Sequence, residues 1–350
     1  MTANSKSSTS IEVKRLTATE FDRWNACVAA SDDATFFHKA EWYDVIVRAF
    51  RHTPYYLYTE RNGAVSAILP LFHTKSMLFG NSLASVPFCV YGGAVGEHAE
   101  DRQALIEEAC RIAAELKVDF LELRNRSEKE PGWPGKDLYV TFRREIDPDP
   151  DENLKKIPRK QRAMVRKGIK AGLVGREDQS VDDMYSCYAE SVRNLGTPVF
   201  PKKYFQILKE VFADDCEVLT ITHEGEPVAG VMSFYFKDEV LPYYGGGKFA
   251  ARKLYANDFM YWQVMENARE KELKVFDYGR SKVDSGSYRF KKHWGFEPVP
   301  LAYSYHLVKA DAVPNISPNN PKYKIFVDTW RKLPVGLANR VGPWLARQLG

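Results

Sequence analysis

The stretch that most constrains the fold is FDYGRSKVDSGSYRFKKHWGF, residues 276–296. Its first part is apolar and ends at Gly279, which is typical of a buried strand that runs into a loop. Its second part, from Gly286 onward, predicts a short helix or turn that is rich in basic and aromatic residues. Polar groups on bulky side chains are concentrated in this stretch, and they belong to Tyr278, Arg280, Tyr288, Arg289, Lys291 and Lys292. A core element does not need so many, so the stretch predicts a site that grips a polar, anionic substrate.

Around this stretch the chain shows the same order of elements twice: helices, a hairpin, a strand, a long helix and a strand. In the first half Asn62-Gly63 marks the hairpin, because this pair supplies the positive φ angles of a tight turn. In the second half Glu224-Gly225 has the same role. The acidic, proline-containing segment 147–152 predicts a turn-rich connector. The repeated order predicts an α+β protein built from two mixed β-sheets, each flanked by helices.

The chain divides accordingly into four segments. We expect an N-terminal lobe at 1–146, a connector with a basic helix at 147–176, a C-terminal lobe at 177–310, and a basic amphipathic tail at 311–350. The tail alternates Trp and Leu with Arg and Lys. It could therefore rest on an anionic membrane surface or pack on the body of the protein, and the sequence favours neither.

Composition excludes several classes of protein. The 350 residues have an ordinary apolar content of 44% and a net charge of only +4. The five cysteines contain no C-x-x-C pair and the seven histidines lack metal-ligand spacing, so we predict no metal site and no disulfide framework. Neither a signal peptide nor a membrane-spanning run is recognisable, which predicts a cytoplasmic protein.

A basic run follows the connector. If a helix starts at Pro158, the residues Arg159, Arg162 and Arg166 lie on one face of it. Arginine suits carboxylate and phosphate groups, so we predict that this face holds an anionic substrate. The alternative is a solvated helix face that the acidic connector neutralises.

Two glycine-rich segments are candidates for the walls of a cleft. Gly245-Gly246-Gly247-Lys248 does not fit a phosphate loop, which needs an earlier glycine and a following Ser or Thr. Tyr244 precedes this run, and Tyr91 precedes Gly92-Gly93 in the first half. We predict that both tyrosines line a substrate cleft, and the alternative for each is a strand end that leads into a turn.

Lys291 and Asp277 are the candidate catalytic residues. A lysine on a short basic helix can stabilise a developing oxyanion, which is the role we predict for Lys291. Asp277 would orient Lys291 or act as a base, although an aspartate in a strand is as often a structural acceptor. Arg280 and Tyr288 complete the predicted substrate contacts. A Ser-His-Asp triad and a G-x-S-x-G elbow are not recognisable in the sequence.

These segments together resemble the FemAB-like branch of the GNAT acyltransferase superfamily. The resemblance is carried by the basic segment 159–173, by residues 255–280, and by Gly286-x-Tyr288-x-Phe290-Lys291-x-x-Trp294-Gly295-Phe296. The tail, at 319–322 and 342–350, looks like the version found beside exosortase/PEP-CTERM and exopolysaccharide gene clusters.

The resemblance implies two GNAT-like lobes with a cleft between them. Family members transfer an amino acid from aminoacyl-tRNA to an amine of a peptidoglycan precursor, and relatives are described as acetyltransferase-like. In the family the Phe-Lys pair, here Phe290 and Lys291, lies beside the reacting carbonyl, and the inter-lobe arginines hold the anionic acceptor. Two family features are missing: the coiled-coil arm of some peptidoglycan ligases and the R/Q-x-x-G-x-G/A loop that holds the pyrophosphate of acyl-CoA.

Our hypothesis from the sequence is an N-acyltransferase or aminoacyltransferase that modifies an amine of a cell-envelope or extracellular polysaccharide precursor. It would have no tightly bound cofactor and would use aminoacyl-tRNA or acyl-CoA as a co-substrate. Its partners would be an anionic polysaccharide or peptidoglycan-type precursor, charged tRNA, and the inner face of the cytoplasmic membrane through the tail. The alternative is a non-catalytic GNAT-like protein that tethers an exopolysaccharide biosynthetic complex at the membrane. RNA binding without chemistry is disfavoured, because the basic patch is short and lacks interleaved aromatic residues.

Overall fold

The computed structural model describes residues 11–76, 80–313 and 321–348. The predicted α+β class is confirmed, with sheets flanked by helices in both halves of the chain. The elements of the first half are, in chain order, β1 Val13–Arg15, α1 Phe21–Ala30, α2 Glu41–Phe50, β2 Thr53–Pro54, β3 Leu57–Arg61, β4 Ala64–Leu69, β5 Leu71–Ser76, β6 Gly80–Ser85, β7 Val95–Gly96, α3 Ala99–Glu115, β8 Phe120–Asn125 and β9 Tyr139–Glu145.

The second half begins with two consecutive helices and ends with two tail helices. Its elements are α4 Pro150–Lys156, α5 Arg159–Lys170, β10 Val174–Glu177, α6 Asp182–Leu195, α7 Lys202–Phe212, β11 Cys216–His223, β12 Glu226–Phe236, β13 Glu239–Gly247, α8 Ala251–Leu254, α9 Ala256–Glu270, β14 Val275–Asp277, β15 Ser281–Lys282, α10 Gly286–His293, β16 Pro298–Pro300, β17 Ala302–Leu307, α11 Pro321–Trp330 and α12 Val335–Gln348.

The strands of the described residues form three sheets. A four-stranded sheet has the order β1-β3-β4-β7, and a five-stranded sheet has the order β17-β8-β6-β5-β2. The sheet of the second half has the order β10-β11-β12-β13-β14-β9-β15, and β16 also pairs with β9. The pairs β6 with β8 and β13 with β14 are parallel, and the other named strands pair antiparallel.

Each half completes its sheet with a strand from the other half. β9 pairs with β14, so that Arg144 lies opposite Phe276. β17 pairs with β8, so that Ser304 lies opposite Leu123. The lobe boundaries that we expected at residues 146 and 310 therefore do not follow the sheets. The sequence pattern could not show this, because strand pairing joins residues more than a hundred positions apart.

Two local expectations can be compared directly with the structure. The hairpin β3–β4 turns at Asn62 and Gly63, which both have positive φ angles, as predicted. The connector is not all turn, because α4 begins at Pro150. The Asp149 carboxylate caps this helix by accepting hydrogen bonds from the backbone N–H groups of Asp151 and Glu152. Proline is favoured at the first position of a helix, so it starts this helix instead of preventing it.

An aromatic core joins the two halves. The ring of Phe36, in a 3-10 turn of the first half, lies 4.6 Å from the rings of both Phe212 and Phe234 in the second half. Trp42 on α2 lies 5.2 Å from Phe212. All four side chains are almost fully buried, so this contact contributes to the stability of both halves at once.

The tail helix α12 packs on the second half through small residues. Gly342 lies against Val199, where an added Cβ would come within 3.0 Å of backbone, and Ala346 is fully buried. The opposite side of the tail exposes apolar side chains, among them Trp344 with 61% of its surface accessible. Packing on the body thus accounts for one face of α12. In the described ranges, no helix has the length and apolar character needed to cross a bilayer.

We predict that His38 makes the fold sensitive to acid. Its ring accepts a hydrogen bond from the Thr35 N–H and donates one to the Gly93 carbonyl, both at 3.0 Å. Burial lowers the pKa of His38 to about 4. As the pH falls from 6.5 toward 4, the unfolded chain binds a proton that the folded chain excludes, so the free energy of unfolding should fall by up to about 3 kcal/mol.

Urea unfolding at pH 7 and pH 4.5 measures this loss. His38→Asn keeps an acceptor for Thr35 but cannot titrate, so it should lose less stability between the two pH values than the parent protein. The pKa of His52 is also lowered to about 4, and its contribution cancels because His52 is present in both proteins. An equal loss in the two proteins would contradict the prediction.

Candidate active site

The parallel strands β13 and β14 begin side by side and then separate. They pair only at Glu239 with Val275 and at Val240 with Phe276. A β-bulge follows at Tyr243, because the register of β13 against β12 shifts there. Bulges re-aim side chains and end strand pairing, and they are frequent beside active sites. The separation leaves an opening in the sheet of the second half.

A loop of the first half, residues 86–93, occupies this opening. On the β13 side, the Tyr243 hydroxyl donates a hydrogen bond to the Phe88 carbonyl at 2.8 Å. On the β14 side, the Tyr91 hydroxyl donates one to the Asp277 carboxylate at 3.0 Å. The two halves are therefore in direct contact here, and the cleft that we expected between them is closed at this point.

Buried polar side chains fix the shape of this loop. The guanidinium of Arg124, on β8, donates hydrogen bonds to the Val86 and Cys89 carbonyls at 3.0 and 2.9 Å. The hydroxyl of Tyr303, on β17, donates one to the Val90 carbonyl. The exchanged strand β17 therefore helps to position the loop.

Asp277 is the buried acceptor at the end of β14. Besides the Tyr91 hydroxyl, its carboxylate accepts hydrogen bonds from the Gly279 N–H at 2.7 Å and from the Thr141 hydroxyl at 3.4 Å. The Arg143 guanidinium lies 3.6 Å away. With so many donors directed at it, Asp277 has the surroundings of an orienting group, which is one of its two predicted roles.

The ammonium of Lys291 binds the loop that follows β14. It donates hydrogen bonds to three successive carbonyls, those of Tyr278, Gly279 and Arg280, at 2.7, 2.9 and 3.2 Å. The carbonyls converge because Gly279 has a φ of 66°, a conformation that glycine adopts without strain. An ammonium has three N–H donors, and all three are used. The role of Lys291 in stabilising an oxyanion stays a prediction, and it requires one of these three hydrogen bonds to break.

The charge on Lys291 is sensitive to its surroundings. Burial lowers the pKa of Lys291 to about 7, although the negative charge of Asp277 opposes this shift. The three carbonyl acceptors favour the ammonium form, since only that form has three donors. Asp277 thus favours the charged form of Lys291 at one end of the strand opening.

Arg280 lies where the two halves meet. Its guanidinium stacks over the ring of Tyr139 at 4.7 Å and donates a hydrogen bond to the Tyr303 hydroxyl at 3.1 Å. Burial lowers the pKa of nearby Lys282 to about 8, and the positive charges of Arg280 and Lys136 add to this shift. We call Arg280, Lys282 and Lys136 the seam cations. The carboxylate of Glu122, which pairs with Arg124, offsets part of their charge, and the cations still outnumber it, so the local potential stays positive and suits an anionic group.

The other predicted residues of the second lobe have packing contacts. Tyr244 is buried, and its hydroxyl shares a hydrogen bond with that of Tyr204 at 2.8 Å, so it faces an aromatic core and not an open cleft. Tyr288 packs α10 against β9 through a ring contact with Phe142 at 5.6 Å, and Phe290 packs it against α9 through a contact with Tyr261 at 5.7 Å. Tyr91 is also almost fully buried.

The arginines of α5 lie apart from these residues. Arg162 donates hydrogen bonds to the Lys155 and Ile157 carbonyls, so it closes the end of α4. Arg159 and Arg166 are exposed and make no hydrogen bond or ion pair with the part of the chain that the structure describes. The structure thus brings together Tyr91, Asp277, Arg280 and Lys291, and none of the three arginines contacts these four in the described residues.

Several residues of the site were not predicted from the sequence. Thr141 and Arg143 are two positions apart on β9 and so face the same side of the sheet, toward Asp277. Their polar alternation was visible, but it did not reveal which strand they would meet. Tyr303 was missed for the same reason, because its strand crosses to the other half. In the described ranges no cluster of three or more His, Cys, Asp or Glu side chains is arranged to hold a metal ion.

Comparison with known proteins identifies the class of fold. Residues 153–292 match the family described as Acetyltransferase (GNAT) domain, and this segment contains β13, β14 and Lys291. Among curated protein sequences no significant match is found.

Solved structures resemble almost the whole chain. FemX shares 16% identity over 91% of this chain and 100% of its own, with a TM-score of 0.66. A tandem GNAT protein from the clavulanic acid biosynthesis pathway shares 12% identity over 86% of this chain and 100% of its own, with a TM-score of 0.55. A C-terminal domain assigned to a lysylphosphatidylglycerol synthetase from Agrobacterium fabrum shares 14% identity over 82% and 92%, with a TM-score of 0.55. At these identities the likeness shows the fold alone, which is a tandem GNAT-like fold.

We predict that Lys291 stabilises the site through its three carbonyl contacts. Lys291→Met keeps the length of the side chain but leaves three buried carbonyls without a donor, so the free energy of unfolding should fall by about 1–3 kcal/mol. The backbone N–H groups of residues 278–281 should also exchange faster with solvent. Chemical denaturation and hydrogen exchange measure the two effects.

The matched control is Lys292→Met, since Lys292 is exposed and its ammonium lies 5.8 Å from the centre of the Tyr288 ring. It should change the stability by no more than about 0.5 kcal/mol. If the two variants were equally stable, the carbonyl contacts of Lys291 would not have the role that we assign to them.

Proposed function

We propose that the protein is an acyltransferase that moves an acyl or aminoacyl group from an activated ester to an amine. The observation that carries the proposal is the opening between β13 and β14 in a GNAT-like sheet, with Asp277, Lys291 and Arg280 at its end. Charged groups held in a buried site can act on developing charge more strongly than groups in water.

The transfer has simple chemistry. The amine nitrogen attacks the ester carbonyl, a C–N bond forms, the C–O bond breaks, and the amine proton ends on the departing hydroxyl. The carbonyl oxygen carries negative charge in between and needs hydrogen-bond donors. We propose that Lys291 acts chiefly as a positioning residue, because it holds the backbone from Tyr278 to Arg280 that borders the opening. Lys291 can contact the oxyanion directly only after one of its three hydrogen bonds to backbone carbonyls breaks.

The filled opening favours an aminoacyl ester over acyl-CoA as the donor. Diverging parallel strands offer backbone groups to an extended, amide-containing chain such as the pantetheine arm of coenzyme A. Here the loop 86–93 takes that place, through its contacts with Tyr243 and Asp277. We therefore propose aminoacyl-tRNA as the donor, since the terminal ester of tRNA can approach the seam without this arm.

The acceptor that we propose is an anionic precursor of the cell envelope or of an extracellular polysaccharide. The seam cations support an anionic acceptor, because they lie close together at the boundary of the two halves. The resemblance to the FemAB-like branch and to its exosortase/PEP-CTERM subgroup supports the cell-envelope setting. A lipid acceptor is a further option, given that one structurally similar domain is named for a lysylphosphatidylglycerol synthetase.

A thermal-shift experiment tests the donor. A ligand that binds the native state raises its melting temperature. A non-hydrolysable aminoacyl-RNA mimic should raise the Tm more than the same RNA without the aminoacyl group, and acetyl-CoA should have no effect. A shift with acetyl-CoA alone would contradict the donor assignment while leaving an acyltransferase possible.

We predict that Arg280 recognises the acceptor through its planar guanidinium. Arg280→Lys keeps the charge but loses the stacking on Tyr139 and the fork of donors, so kcat/KM for the acceptor should fall by about tenfold or more, mainly through a higher KM. The measurement is a steady-state transfer assay. Arg111→Lys, on the exposed face of α3, is the control and should leave kcat/KM unchanged. An unchanged KM in Arg280→Lys would remove Arg280 from the acceptor site.

A second candidate function is a non-catalytic tether at the membrane. The exposed apolar residues of the tail favour it, since Ile325 has 76% of its surface accessible and Leu337, Val341 and Trp344 are exposed along one side of α12. Such a row beside basic residues is typical of helices that lie on anionic membranes. If this function is correct, a protein truncated at residue 313 should no longer sediment with anionic vesicles, and the full chain should show no transfer activity.

A further inference from the structure

A pocket of about 400 Å³ lies outside the candidate active site, between the β2–β5 edge of the first half and the end of α12. None of its lining residues belongs to the strand opening. The lining contains two neutral polar residues, Thr53 and Gln348. Its other members all carry a basic group, and they are Arg51, His52, His73, Lys75 and Arg347. We call it the cationic pocket.

No carboxylate lines the cationic pocket, whereas some exposed arginines elsewhere in the described chain lie within ion-pairing distance of one. Arg48 and Arg61, for example, form ion pairs with glutamate or aspartate. Arg51, Lys75 and Arg347 are also exposed, yet they form no ion pair with the part of the chain that is described. Cations that lie together without a counter-charge repel each other, and a bound anion would offset this repulsive energy.

A buried histidine gives an independent indication of a ligand. His52 has only 8% of its surface accessible, and its ring lies against those of Phe50 and Phe88 at 6.0 Å. Its Nε2 atom has no hydrogen-bond partner in the described residues. Buried polar atoms in proteins are almost always paired, so an unpaired one in the wall of a pocket calls for a partner.

The pocket is also held in shape. The Ser76 hydroxyl donates a hydrogen bond to the Gln348 side chain at 2.9 Å, which joins β5 to the last turn of α12. His73 shares a hydrogen bond with Asn81 at 2.6 Å. A site formed in advance loses less entropy when it binds a ligand.

We propose that the cationic pocket binds a phosphate ester. Arg347, Lys75 and Arg51 would neutralise the phosphate, and the Nε2 of His52 would donate a hydrogen bond to one of its oxygens. The volume fits a small ligand, since ligand pockets span about 300–1,000 Å³. This site is independent of the acyl-transfer site and of its proposed chemistry.

The neighbouring surface favours a phospholipid headgroup as the source of the phosphate. Trp344 is three residues before Arg347 on α12, so the two side chains lie on neighbouring positions of the helix surface. Trp344 is largely exposed, and Val341 and Leu337 continue the apolar row. Tryptophan favours the membrane–water interface, where its ring would lie beside a headgroup held by Arg347.

The test compares vesicles with a soluble phosphate ester. The full chain should sediment with phosphatidylcholine vesicles that contain phosphatidylglycerol, and calorimetry should detect binding of glycerol phosphate. Lys75→Gln combined with Arg347→Gln should weaken both by about tenfold. The matched control is Lys332→Gln combined with Arg340→Gln, which removes the same charge from the tail outside the pocket and should weaken them much less.

Two single variants separate the parts of the proposal. His52→Phe should weaken glycerol phosphate binding several-fold at pH 7.5 without changing the charge, because burial lowers the pKa of His52 to about 4 and leaves it neutral. Trp344→Ser should weaken vesicle binding and leave glycerol phosphate binding unchanged. Equal losses in the pocket variant and its control, or no binding of either ligand by the parent protein, would overturn the site. Binding of glycerol phosphate without binding to vesicles would support the pocket and overturn the lipid source.

Discussion

The candidate site depends on one interaction, the ammonium of Lys291 bound by three consecutive carbonyls. Three carbonyl dipoles directed at one point repel each other, so this backbone needs a cation to hold it. Gly279 permits the turn, and the charge of Asp277 opposes the lowering of the pKa of Lys291 by burial. In turn the lysine fixes α10 against the end of β14 and sets the position of Arg280. If Lys291 is replaced, the backbone from Tyr278 to Arg280 loses the contacts that fix its shape, whatever part Lys291 has in the reaction itself.

Because the two halves exchange strands, the site around Lys291 depends on residues from both of them. β9 supplies Thr141 and Arg143 to Asp277, and β17 supplies Tyr303 to both Arg280 and the loop 86–93. The site is therefore made from both halves, and neither half contains it alone. Such contacts between residues distant in sequence are costly to form, because the chain must close long loops first. They also couple the two halves, since separating them would break both sheets.

Local rules were enough to predict some of the structure from the sequence. The Asn62-Gly63 turn and the helix after Pro158 depend on backbone preferences within a few residues, and both predictions are confirmed. The strand–loop–helix order around residues 276–296 follows from the same kind of rule. What the sequence did not reveal is which side chains meet. Arg162 has the spacing of a substrate-binding residue, yet it closes the end of α4, because two carbonyls happen to lie within its reach. Thr141 gave no signal of its own, since its role comes entirely from the strand beside it.

The net charge of +4 hides a division of the basic residues into regions that differ in burial. Exposed charges such as Arg159 and Arg166 act through water and are screened by salt, so they can attract an extended polyanion but hardly select one group within it. The seam cations are partly buried, where the same charge acts more strongly and on a single group. The cationic pocket combines both degrees of exposure, because exposed arginines surround a buried histidine. Exposed cations thus attract a polyanion, whereas partly buried cations recognise one anionic group within it. A count of lysines and arginines therefore predicts an anionic partner without locating the site that binds it.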